Sequence, residues 1–413
     1  MIYDNLLLAF GSIVLAEVIR DFYHLAGHYW EPLQNWHTLH HKAYRPDLSM
    51  VSLEAYCKAQ LYNDVPEATC MTVLTGLVAL LSHNNYLWLG CLYSFSFLVT
   101  AGARSSARAI ALSQGWWLKT DYTHEPGELL VPPSQWKVNR TYHWRHHFDR
   151  GNAYFCGSLT LVDKVLGTSL SLQGKVVAVT GASGALGQAL IKELGAKGAR
   201  VVALTTSNNW QLDSPAEVVQ WNLGAEAELS ARMKKIDILI INHGINDRGD
   251  RSPEAIQTAF EVNTFSAWRL MELFLNSVQS SSDRALKEIW LNTSEAEVNP
   301  AFSPLYELSK RTLGDLITLR RLDAPCVIRK LILGPFKSQL NPIGIMSPNW
   351  VAWAIVALAQ RDFRDIIVTI NPLTYLAFPI KEWGRSLYFR LFSGSTKKPE
   401  IVNEQLKSQQ ISR

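Results

Sequence analysis

The chain opens on an apolar stretch that begins at Leu6 within MIYDNLLLAFGSIVLAEVI. A second one covers Pro66 to Ala103 and is broken only by Ser82-His83-Asn84-Asn85. It predicts two helices of about 17 residues joined by a tight turn, each about 25 Å long and slightly short of a hydrocarbon core of about 30 Å. His83 then falls on the solvated turn. From Lys175 the pattern changes. KVVAVT, RVVALTT, DILIIN, EIWLNTS and CVIRKLIL read as buried strands. Helical stretches alternate with them, after the first strand, near 225 to 234, across 253 to 280 and from about 304 to 320. Such alternation predicts a doubly wound parallel α/β sheet. Between the two patterns lies DKVLGTSLSLQG, rich in Gly, Ser and Thr, which puts a domain boundary near 170.

Composition agrees with a mixed molecule. Of 413 residues, 47% are hydrophobic and 18% charged. That is too apolar for an ordinary soluble protein and too polar for a polytopic transporter. The net charge of +4 comes without a basic block interleaved with aromatics, so nucleic acid is not an expected partner. Five cysteines without a C-x-x-C point to a reducing compartment. The N-terminal run lacks a basic leader and a small-residue cleavage site, and reads as a retained anchor, with a buried helix as the alternative. Arg20, Lys42 and Arg45 precede the hairpin, while Arg104, Arg108 and Lys119 follow it. By the positive-inside rule both segments are cytoplasmic. The expectation is a multi-pass membrane protein with both catalytic regions on the cytoplasmic face.

Ten of the eleven histidines precede residue 148. Eight form three clusters: His24 with His28, then His37, His40 and His41, then His143, His146 and His147. Spacings of three and four share one helix face, so each cluster aims its imidazoles at one point. Eight imidazoles suit two metal ions, and nitrogen donors suit iron or zinc. HxxxH, HxxHH and a distant HxxHH around an apolar hairpin resemble the membrane fatty acid hydroxylase/sterol desaturase superfamily, over roughly residues 1 to 168. The resemblance implies a non-haem diiron site that uses O2 and an external ferredoxin- or cytochrome-type electron donor to hydroxylate or desaturate a lipid. Where many members carry a further histidine pair, this chain offers His124, with Glu125 and Glu128 as added oxygen donors.

The second half carries Gly181, Gly184 and Gly187 between a predicted strand and helix, a turn that lets a pyrophosphate approach the backbone. Tyr306 and Lys310 form a Y-x-x-x-K on one helix face, with Ser294 twelve residues before Tyr306. A neighbouring Lys⁺ is expected to lower the phenol pKa toward working pH. With Asn263 and Asn242-His243-Gly244, these motifs resemble the short-chain dehydrogenase/reductase family from residue 174 to about 370. The resemblance implies a Rossmann-like fold, Tyr306 as proton donor and acceptor, and Lys310 on the nicotinamide ribose. It further implies that Ser294 orients a carbonyl, Asn263 sustains a proton relay, and Gly334-Pro335 flank the nicotinamide. Ser183 and Leu186 belong to the same cofactor turn, and His243 replaces a usually small residue beside the cofactor. VVALTTSN lacks the acidic residue that holds a free ribose 2′-hydroxyl, and Thr206 and Ser207 favour NADP(H) over NAD(H). Asn222 stands where an aspartate is frequent.

The expected organisation is an α-helical membrane domain over residues 1–168, a Rossmann-like α/β domain over 169–380 and an amphipathic basic tail over 381–413. In the tail, Trp383, Leu387, Tyr388, Leu391 and Phe392 share one helical face, either interfacial on an anionic leaflet or docked on the core. The expected function is bifunctional: lipid oxygenation or desaturation, followed by oxidation of the new alcohol. Two alternatives stay open. Either only the reductase is active on a metal-stabilised anchor, or the chain is a non-catalytic NADP(H)-binding scaffold.

Overall fold

The computed structural model describes residues 2–207, 210, 216–246 and 249–394. The sequence reading of the last residues, EQLKSQQISR, as disordered and of Lys397 and Lys398 as part of the basic tail falls outside them.

The helical half is built on a first helix, Ile2–Tyr29, followed by Glu31–Lys42 and the hairpin. Among the described residues, two helices are long and apolar enough to cross a membrane, Leu53–Ser82 and Asn85–Arg104. The first hairpin helix thus starts well before Pro66, because a π-helical turn at Gln60–Asp64 carries the polar segment QLYND without breaking it. His83 caps it in the left-handed conformation (φ 51°) and is exposed, as a turn residue.

The first helix does not join those two, so the expected three crossings are not supported. Glu17, Arg20 and Asp21 explain why. All three are buried. Arg20 donates to Ser158 Oγ at 2.7 Å, and Asp21 accepts from the Gly157 amide at 2.9 Å. The second half of this helix is a core element of the histidine region, although Leu6, Leu7 and Phe10 are exposed near its start.

The second half is a seven-stranded parallel sheet in the order β3-β2-β1-β4-β5-β6-β7. The strands are β1 (Val176–Thr180), β2 (Arg200–Thr205), β3 (Glu217–Gln220), β4 (Ile238–Ile241), β5 (Glu288–Asn292), β6 (Val327–Leu333) and β7 (Asp365–Val368). Both faces are covered, which explains why β1 and β4 read as continuous apolar runs, while β5 and β6 bury Glu288, Arg329 and Lys330 among their apolar residues. Ala185–Ala196 and Pro348–Gln360 cover one face through Leu190, Ile191 and Ile355, and Leu170 and Leu172 from the joint enter the same core. Ala267–Leu275 and Pro304–Arg320 cover the other through Leu270, Phe274, Leu313 and Ile317. β3 and β7 are short edge strands absent from the pattern read above. The helix expected across 253 to 280 is interrupted by a π turn at Glu261–Ser266, and the segment near 225 to 234 is a 3-10 turn running into Ser230–Met233.

The tail boundary expected at 380/381 falls inside one continuous helix, Pro372–Phe392. Thr374, Phe378 and Glu382 form its buried face, so the helix docks on the sheet domain while Trp383, Leu387, Tyr388, Leu391 and Phe392 stay exposed.

Candidate functional site

The strand order reverses direction between β1 and β4, the crevice where doubly wound sheets bind ligands at strand carboxyl ends. The glycine turn sits there. Gly181 has φ +62°, and a Cβ on it would lie 2.9 Å from His243 Cα. A Cβ on Gly187 would lie 2.2 Å from the Gly181 carbonyl oxygen, so only glycine lets the helix Ala185–Ala196 start this close to β1. Gly184 is its N-cap, and Leu186 is buried beneath it. Ser183, Thr205 and Ser207 meet at the end of β2, with Ser183 Oγ 3.5 Å from Ser207 Oγ. Thr206, beside them, is exposed.

The catalytic candidates gather at the ends of β4 and β5. Tyr306 and Lys310 lie one turn apart on Pro304–Arg320, and the Lys310 ammonium is 6.0 Å from the Tyr306 ring centre. Lys310 Nζ donates to the Asn292 carbonyl at 3.0 Å. Asn292 in turn donates to Asn242 Oδ1 at 2.9 Å. Asn263, in the π turn, accepts from the Ile245 amide at 2.8 Å and donates to the Ile245 carbonyl and to Ser309 Oγ. It thereby clamps the Asn242–Ile245 segment over Lys310, and a Cβ on Gly244 would touch both Asn263 and Lys310. The Ser294 side chain lies beside the Tyr306 phenol, where it eases the phenol's ionisation, and its Oγ accepts from the Ala296 amide at 3.1 Å. Pro335 follows β6 at the same end of the sheet, where its carbonyl accepts from Ile345.

Burial pushes the Tyr306 phenol above its ordinary value, only partly countered by Ser294. This corrects the expected lowering by Lys310, whose ammonium is engaged with Asn292. Burial instead lowers Lys310 to about 8, against the pull of Glu297. His243 is brought to about 4, by burial and then by the Lys310 charge, so it stands neutral. Its Nδ1 lies 2.9 Å from Thr180 Oγ1, and its ring meets Trp221 edge-on. Asn292 was not singled out from the sequence, although it lies two residues before Ser294 in EIWLNTS.

The histidines converge from four segments into two groups: His24, His28, His37 and His146, and His40, His124, His143 and His147. Within each, the ligand atoms lie within 4.8 Å of one another. His41 belongs to neither group, but its Nε2 is 2.8 Å from His37 Nε2 and its ring contacts His146 and His147.

His124 carries the clearest chemical signal. Its Nδ1 is 2.7 Å from Asp121 Oδ1, which fixes that nitrogen as the donor and leaves Nε2 a lone pair. That Nε2 faces His143 Nε2 at 2.8 Å and His147 Nε2 at 3.1 Å, and those two face each other at 3.1 Å. Three mutually close imidazole nitrogens cannot all be paired by hydrogen bonds, and a cation between them resolves the conflict. His37 is oriented the same way by Asn63 Oδ1, 3.0 Å from its Nδ1. Burial holds His40, His143, His146 and His147 well below their usual range, hence neutral, the form that binds metal. His28 Nε2 and His40 Nε2 are buried without any hydrogen-bond partner. The donor set therefore fits two metal ions. Glu125 and Glu128 are exposed and do not join it; Asp121 is the carboxylate that touches His124, a residue the sequence did not single out.

The two sites lie at opposite ends of the sheet. The histidine helix Arg140–Phe148 meets the strands at their amino ends, through Arg145 with Glu288 and Asp149 with Lys175. Tyr306 and the glycine turn lie at the carboxyl ends, about 17 Å away along a five-residue strand.

A nucleotide turn at the switch point, with Tyr306, Lys310 and Ser294 beside it, defines a short-chain dehydrogenase, and the family model described as short chain dehydrogenase matches residues 175–316. The chain is a nicotinamide-dependent oxidoreductase. Over 405 residues, 94% of its length, it is 54% identical to the monoglucosyldiacylglycerol epimerase of Synechocystis sp., covering 97% of that protein, and it belongs to that epimerase's family. It is 26% identical over 236 residues to a ketoacyl reductase, HetN, of Nostoc sp., covering 49% of this chain and 82% of that one. A solved short-chain dehydrogenase of Burkholderia cenocepacia in complex with NADP shares 20% identity at a TM-score of 0.45, covering 55% of this chain and all of the other.

Proposed function

We propose that the chain epimerises the sugar of a glucosyl glycerolipid. The observation that carries this reading is the near full-length identity to an epimerase named for such a lipid, together with the Tyr306–Lys310–Ser294 arrangement. Epimerisation at a secondary alcohol is two reductase half-reactions in opposite directions. The carbinol loses a hydride and a proton to become a ketone, and the ketone regains both from its other face. NADP(H), which Gly181, Gly184, Gly187 and Lys310 would hold, would supply the hydride-accepting and hydride-donating chemistry for both halves. Tyr306 takes the hydroxyl proton and gives it back, Ser294 holds the oxygen, and Lys310 binds the ribose. Asn263 keeps Lys310 and the Asn242–Ile245 segment in place. Thr206 and Ser207, with no acidic side chain among the described residues at the end of β2, favour the 2′-phosphate of NADP(H). The balance is neutral in electrons, which removes the need for a second catalytic step to consume an alcohol.

For the histidine region we propose a dimetal centre held by His24, His28, His37 and His146 and by His40, His124, His143 and His147, with His41 between them. Two irons bound there would supply O2-dependent hydroxylation or desaturation with electrons from an external donor; a purely stabilising metal pair is the rival. The charge-poor hairpin supports a membrane location with both sites on one face.

The test is product analysis. Purified protein with NADP⁺ and monoglucosyldiacylglycerol should yield the epimeric lipid, and Tyr306→Phe should yield it at least about a hundredfold more slowly. Stoichiometric NADPH accumulation without an epimer would instead mark a simple dehydrogenase.

A further inference from the structure

The helix Pro372–Phe392 has an unusual division of faces. Thr374, Phe378 and Glu382 pin it to the sheet domain, where Thr374 meets Asn299 and Glu295, and Glu382 meets Thr318 and Lys330. On the opposite side Leu373, Leu376, Ile380, Trp383, Leu387 and Leu391 recur every three or four residues, and every one is exposed. That spacing makes one unbroken apolar stripe about 30 Å long.

The stripe joins the mouth of the reductase cleft. Its first turn follows β7 and touches the loop after Ser294. Around that mouth Phe302 is 96% exposed, and Ile343, in the loop after Pro335, is 90% exposed. Phe302 also holds φ +55°, a backbone conformation costly for a bulky residue, so its ring is kept in solvent against both strain and hydrophobicity. The far end of the helix reaches the other half of the chain: Trp383, Leu387 and Arg390 line a groove together with Pro132 and Gln135.

Charge selects the occupant. Glu382, the helix's acidic residue, is buried, and Arg385, on the docked side, pairs with Asp315 at 3.7 Å, whereas Arg390 is exposed beside the stripe. Apolar side chains flanked by an outward cation, on a helix whose one carboxylate is buried, match an anionic lipid surface.

We propose that this helix and the cleft rim form one face that lies on an anionic bilayer, keeping the acyl chains of the glycolipid in the membrane while its sugar enters the cleft. The substrate part of this inference rests on the epimerase reading; the docking part does not. In the full-length protein reconstituted with vesicles of brominated phosphatidylcholine and phosphatidylglycerol, Trp383 emission should be quenched, read as the difference between the native protein and Trp383→Phe. Leu376→Ser with Leu387→Ser should raise the KM for vesicle-borne glucolipid about tenfold or more, with NADP affinity and molecular mass unchanged. Unquenched Trp383 overturns the docking, and so does an unchanged KM in an active protein. A halved mass in the double variant also overturns it, by assigning the stripe to a second copy. Quenching in a protein that makes no epimer would uphold the docking and refute the epimerase reading alone.

Discussion

Arg145 and Glu288 form a buried ion pair, Nη2 to Oε1 at 3.1 Å, between the helix that carries His143, His146 and His147 and the first residue of β5. Arg329 completes it from β6, with Nε 2.8 Å from Glu288 Oε2. The same strand that is anchored by this pair carries Asn292 and leads to Ser294 at its other end. The two halves are thus mechanically continuous although their sites face apart.

Arg145→Met leaves Glu288 paired with Arg329 alone. It should destabilise the chain by about 1.5–3 kcal/mol, the worth of a hydrogen bond to a charged group, with both halves losing stability together in denaturation followed by separate probes. For Glu288, burial opposes ionisation, but Arg329 and Arg145 outweigh it and hold the carboxyl at about 2, below the ordinary 4.5. A lowered folded-state pKa gives stability that is complete above the unfolded value and lost as pH falls through the folded one. The advantage of the native protein over Glu288→Gln should therefore be full above pH 4.5 and shrink toward pH 2.

Tyr306→Phe should lower turnover by about 10²–10⁴-fold, the range for a lost general acid/base, and leave cofactor affinity nearly unchanged. Equal losses in affinity and turnover would mean the phenol only positions the cofactor.

Lys310 is charged below about 8 in the cofactor-free protein. NADP⁺ affinity should fall as pH rises through that value, because the neutral amine is the weaker partner for ribose oxygens. Titration calorimetry across pH 7–9 checks this, and Lys310→Arg should flatten the dependence, since a guanidinium stays charged.

Metal analysis of the purified chain should give about two ions, one for each histidine group. Asp121→Asn should weaken the group containing His124 by about 10–100-fold and spare the other. Retention of both ions at native affinity would exclude Asp121 as the orienting group.

The sequence shows the parts whose chemistry is local. β1 and β4 are apolar because both faces are covered, and the Y-x-x-x-K pair needs only one helix turn. The histidine clusters stand out for the same reason. Asp121, Asn63 and Arg145 were not legible, since each acquires its role from a partner far away or from a turn that periodicity does not encode. β3, EVVQ, is an edge strand with only Val219 buried, too short and too exposed to show a pattern. The first helix misled in the other direction: its apolar start resembles an anchor, while Glu17, Arg20 and Asp21 find buried partners that only the fold provides.

The most direct test of the central claim is isotope tracing. Monoglucosyldiacylglycerol deuterated at the ring carbinols should be converted by the native protein with substoichiometric NADP⁺ and no O2. The account predicts an epimer that keeps its deuterium and leaves the nicotinamide pool unchanged. An absence of epimer, or an epimer formed only with stoichiometric NADPH consumption or with O2, would contradict it.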